Sequence, residues 1–164
     1  MKIFSNNFEP KVPLTWIALL RIIVGVMFLL TWLPNFLDGL YTPDGLLFFF
    51  TEEFPQSENS LGFYAHFIDG VILPIRHVFA PFQLVAEFLM GLAILLGAFT
   101  PLASIAGIFF LFNTMLATFG HDWLWSYILP ISILFVGLFT HAGRTLGLDA
   151  YFVKRFGERN FFLW

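Results

Sequence analysis

A chain of 164 residues that is 59% hydrophobic and only 12% charged lacks the polar surface to cover itself in water, where a domain of this size carries about a quarter of its residues as charges. Its eight Lys and Arg are scattered and form no basic stripe, so no nucleic-acid partner is expected. The absence of cysteine excludes disulfides, thiolate nucleophiles, cysteine-held iron–sulfur clusters and thioether-attached haem.

The expected solvent is therefore the lipid bilayer, and the expected fold is an all-α membrane protein forming one domain over residues 1–164. Four apolar runs come close to the roughly 20 residues needed to cross a membrane. The first, Leu14 to Leu33, contains one charge, Arg21. Its length, and the absence of a small-residue cleavage site at Trp32-Leu33-Pro34, distinguish it from a signal peptide. The connection that follows, Pro34 to Ala80, is too long for a turn. Its apolar pieces, Gly45 to Phe50 and Leu61 to Val78, are interrupted by polar residues. Short helices lying at the outer interface are predicted there, with turn chemistry at Pro43-Asp44-Gly45 and Ser57-Glu58-Asn59-Ser60.

The second span is predicted from Pro81 to Phe99 with Glu87 as its charge, the third from Leu102 to Phe119, and the fourth from Trp123 to Thr140 with Pro130 inside it. Gly97-Ala98-Phe99-Thr100-Pro101 and Gly120-His121-Asp122 leave only tight turns between the last three spans, which makes them antiparallel neighbours. The small pairs Ala93/Gly97 and Ala103/Gly107 are spaced for close helix packing or occur there by composition. Lys2 and Lys11 precede the first span, and Arg144, Lys154, Arg155 and Arg159 follow the last. The long connection holds Asp38, Asp44, Glu52, Glu53, Glu58 and Asp69 against Arg76. The positive-inside rule then predicts an antiparallel four-transmembrane-helix bundle in the cell membrane, with both termini cytoplasmic.

Arg21 and Glu87 are the charges to explain, because each is costly alone in hydrocarbon. Counted from the cytoplasmic span ends at about 1.5 Å per residue, Arg21 lies about 10 Å deep, Glu87 about 15 Å and Asn113 about 16 Å. An Arg21–Glu87 ion pair joined by Asn113 is therefore expected, either as a register-fixing device or as a centre that organises a ligand. None of the four histidines lies in mid-span, and no metal site is predicted. Trp123 and Trp125 stand at a span end, where they read as interfacial anchors or as a stacking platform for a quinone.

Three motifs carry a resemblance to a known family. They are Leu20-Arg21-Ile22-Ile23-Val24-Gly25-Val26-Met27-Phe28 in the first span, Ala86-Glu87-Phe88-Leu89-Met90-Gly91 running on to Gly97 in the second, and Gly143-Arg144-Thr145-Leu146-Gly147-Leu148-Asp149 after the fourth. From Leu14 to Tyr151 the chain resembles the DoxX-like family, and within it the DoxD type, the small subunits of thiosulfate:quinone oxidoreductases. The resemblance implies a small membrane subunit of a quinone-linked oxidoreductase that anchors a partner subunit and shapes a quinone site, with Arg21 and Glu87 on the family's charged positions. It implies a quinone as the cofactor, held without a covalent bond. The alternative is a non-catalytic accessory subunit packed within a larger membrane complex.

Overall fold

The computed structural model describes residues 13–157, so Lys2, Lys11 and Arg159 of the charge count lie outside the described residues. Within that range the protein is helical, with seven α-helices joined by short turns and no strand among the described residues. Four helices are long: α1 (Leu14–Leu37), α4 (Arg76–Leu96), α5 (Thr100–Ala117) and α6 (Trp125–Thr140). The short ones are α2 (Pro43–Phe48) and α3 (Gly62–Phe67) in the long connection, and α7 (Asp149–Phe156) after α6.

Three helices, α1, α4 and α5, are long and apolar enough to cross a membrane. α6 is apolar but has 16 residues, or roughly 24 Å, against a hydrocarbon core of about 30 Å. The predicted fourth span is thus a shorter helix, because Asp122 holds the chain in a turn ahead of it. Its carboxylate accepts from the Trp123 backbone N–H at 2.6 Å and from the Tyr127 hydroxyl at 2.5 Å. The predicted second span also shifts. α4 begins at Arg76, five residues before Pro81, and the proline lies inside the helix. It stands in the second turn, where it cannot donate to the His77 carbonyl as an ordinary residue would. α1 likewise runs through Pro34 to Leu37.

α1 packs along α4, α5 along α6, and both α1–α6 and α4–α5 faces touch. Arg21, early in α1, meets the last turn of α4, while the Trp32 indole Nε1 donates to the Leu84 carbonyl at 3.0 Å. The start of α1 is therefore level with the end of α4. The shared core is Val24, Phe28, Ile94, Ala103, Leu111 and Leu134. One close approach between these helices needs glycine: a Cβ at Gly25 would stand 2.5 Å from the Leu95 backbone nitrogen. Outward, the long helices present large apolar side chains, among them Phe82, Phe135 and Phe109, the last 70% exposed. Such surface suits lipid.

The connection between α1 and α4 folds into a cap over one end. Thr42 caps α2, its hydroxyl accepting from the Gly45 N–H at 3.0 Å, and Pro43 begins the helix. Wider π-helical turns follow both α2 and α3. Leu46, Phe50, Tyr64, Ile68 and Ile72 bury against Ala80 and Ala117. The cap amides of Gln56 and Asn59 donate to the Ala117 carbonyl at 3.0 and 3.1 Å, satisfying an acceptor that the end of α5 leaves open.

Candidate functional site

The buried polar groups fall into separate foci. At the end opposite the cap, α4 stops in a Schellman turn: Gly97 adopts φ +63°, Ala98 N–H bonds the Ala93 carbonyl, and Gly97 N–H bonds the Ile94 carbonyl. Further carbonyls of that turn are taken from outside the helix. Arg21 Nη1 donates to Ile94 and Leu95, the latter at 2.8 Å, and Nη2 donates to Leu146 at 2.8 Å. The backbone N–H groups of Leu148 and Asp149 bond the carbonyls of Leu96 and Gly97. In return the Asp149 carboxylate accepts from the N–H groups of Phe99 at 2.7 Å and Thr100 at 2.9 Å. A residue far along the chain thus caps α5, and its charge balances Arg21.

This end is tightly specified. Arg21 is 2% exposed and Asp149 1%. A Cβ on Gly143 would strike Thr100 and Asp149, and one on Gly147 would strike the Gly143 carbonyl and Gly97. Phe99, His141 and Leu146, none of them glycine, hold left-handed φ values of 49°, 49° and 52°. Each such residue is strained by roughly 1–2 kcal/mol, so the surrounding bonds must hold it. The Gly143-Arg144-x-x-Gly147-x-Asp149 pattern is therefore a lid that closes the ends of α4, α5 and α6 around Arg21.

The expected Arg21–Glu87 ion pair does not form. Glu87, 3% exposed, accepts instead from the Tyr41 hydroxyl at 2.8 Å, with the Gln83 side chain as a further polar neighbour. Helical side chains lean toward the N-terminus of their own helix. With the start of α1 beside the end of α4, Arg21 and Glu87 lean apart: Arg21 reaches the last turn of α4, roughly 10 Å beyond Glu87 along the axis. Asn113 does not join them either. Its Oδ1 accepts from the Tyr64 hydroxyl at 2.8 Å and its Nδ2 donates to Phe109 at 2.7 Å. The sequence reasoning missed Tyr41, Tyr64 and Asp149 as partners. The Asp149 motif was the available signal, since an acid following two spaced glycines beyond an apolar span calls for a structural account.

Burial and the neighbouring Glu87 carboxylate raise the Tyr41 hydroxyl above its ordinary pKa, so it remains a proton donor at neutral pH. Burial pushes Tyr64 up to about 12.

Trp123 and Trp125 meet α1 rather than any of these polar groups. Together with Ile23, Met27, Ser126 and Leu129 they line an open groove of about 250 Å³ between α1 and α6. Arg21, Glu87 and Asn113 do not line it. The groove presents almost wholly apolar surface, which can take a flat ring against indole and an apolar chain along α1. No family model, curated protein or solved structure matches this chain.

Proposed function

We propose that the protein crosses the bilayer four times as an antiparallel bundle with both ends cytoplasmic, and serves as the small membrane subunit of a quinone-linked oxidoreductase of the DoxX-like, thiosulfate:quinone type. α6 is the fourth crossing, short enough to need local thinning or snorkelling at its ends. Arg144, Lys154 and Arg155 at one end and the acidic cap at the other support the orientation. The three family motifs support the type.

The observation that carries the quinone reading is the Trp123–Trp125 groove, which opens sideways along the helices. Its almost wholly apolar lining fits the apolar parts of the group, indole for a ring and Ile23 and Met27 for an isoprenoid tail. A bound quinone would supply the redox chemistry. The chain's own residues hold and orient it, and the exposed helix faces anchor partner subunits. Gently purified protein is expected to yield quinone on solvent extraction, and Trp125→Ala about tenfold less, the loss of roughly 1.4 kcal/mol of ring contact. Wild-type protein without quinone, or a variant with a full load, rules the groove out.

A second reading, a non-catalytic accessory subunit, is favoured by one observation: Arg21 and Asp149 are spent on backbone groups. A stoichiometric large partner that co-purifies without quinone decides for it.

A further inference from the structure

Glu87 is a buried acid without a cation. On α1 the only ionisable side chain is Arg21, which turns to the far end. α2 contributes Asp44, which is exposed, and the turn between them Asp38, also exposed, and Tyr41. α5 has no ionisable side chain. On α4 itself, Arg76 and His77 stand in the first turn, about three turns away. Among the described residues the polar group that reaches the carboxyl from outside α4 comes from the direction of Tyr41, while Gln83 stands one turn back on α4 itself.

That direction leads out of the bundle. The Tyr41 hydroxyl donates to Glu87 Oε2, and the Asn35 side chain is a polar neighbour of that hydroxyl. Asn35 in turn lines a cavity of about 190 Å³ under the cap, together with Asp38, Gly45, Phe49 and Glu53. Asp38 and Glu53 are exposed, so the cavity has an acidic, wetted mouth. Tyr41 follows the cavity-lining Leu40 in the chain and is joined to Glu87 by one hydrogen bond, so it stands between that mouth and the carboxyl.

We infer that Glu87 is a proton-binding site within the bundle, loaded and emptied from the cap cavity through the Tyr41 hydroxyl. In the loading step the Tyr41 Oη–H bond breaks as its proton moves to Glu87 Oε2, and Oη takes a replacement proton from a hydronium ion that enters from the cavity past Asn35 and leaves as water. No electron changes hands, and emptying is the reverse. A hydroxyl suits this position because it donates and accepts at once. The inference does not depend on the quinone reading, since the groove lies between α1 and α6 and shares no residue with the cavity.

Infrared difference spectroscopy after a pH step, on the full chain in lipid nanodiscs, tests it. Wild type is expected to show a protonated-carboxyl band that shifts in heavy water. Glu87→Gln loses the band, while Asp38→Asn and Glu53→Gln keep it. Tyr41→Phe keeps the band but displaces its pH midpoint by half a unit or more. Thermal unfolding of each variant in the same discs identifies any that misfold, and the isosteric Glu87→Gln is the reference for the band. The inference is overturned if wild type shows no such band, if the band survives in Glu87→Gln, or if the Tyr41→Phe midpoint matches wild type.

Discussion

Arg21 has a planar head with several fixed N–H donors, and three carbonyls from two distant segments share two of its nitrogens. A lysine offers a point charge at the end of a flexible stem instead. Arg21→Lys is therefore expected to leave at least one buried carbonyl without a donor and to lower stability by about 1–3 kcal/mol, read as a lower unfolding temperature in detergent. Tyr64 gives a pH test with a definite sign. Its hydroxyl titrates near 12 when folded and near 10 when unfolded. Above pH 10 the unfolded chain releases a proton that the folded one keeps, so stability falls as pH rises from 10 toward 12. The full loss is roughly 2–3 kcal/mol. Tyr64→Phe should flatten that decline while leaving Asn113 Oδ1 without its donor at every pH.

At the scale of helices, the α1–α4 contact depends on Gly25 lying against the Leu95 backbone. Gly25→Ala is expected to push the helices apart and cost about 1–3 kcal/mol, with Arg21 drawn away from its acceptors. Gly70→Ala, where no atom stands within 4 Å, is the control and should change stability by much less; equal melting of the two variants would contradict the close approach. The apolar runs, their order and the existence of a cap are legible in the sequence because hydropathy and turn residues are local signals. The register of Arg21 against α4 is not legible by counting from span ends. The direction of lean is a backbone rule and separates Arg21 from Glu87 once the helices are set side by side. The Gly143 to Asp149 motif marks Asp149 as needing a structural account, but its role as the cap of α5, about fifty residues back, is out of reach of capping rules, which consider only the residues adjoining a helix.

The whole molecule is polarised. Asp38, Asp44, Glu52, Glu53, Glu58, Asp69 and Asp122 gather at the cap end, and Arg144, Lys154 and Arg155 at the other. The chain has no native cysteine, so single introduced thiols report its proposed orientation cleanly. In intact cells, Ser57→Cys in the cap should react with a membrane-impermeant maleimide. Thr145→Cys should react only after permeabilisation, and the reverse pattern would invert the proposed topology.

The lid formed by Gly143 to Asp149 also sets an order of events during synthesis. Arg21 leaves the ribosome well before Ile94 and Leu95, its nearer acceptors, and 125 residues before Leu146. For that interval a cation in a nascent apolar helix has no internal partner and must be sheltered by the insertion machinery or by headgroups. The N-terminal amides of α5 wait in the same way for Asp149. Assembly of the bundle is thus completed by its last-made part, and a chain released before Asp149 carries all four long helices with one end unsealed. Quality control in the membrane would meet it as an unfinished protein, however well its helices had inserted.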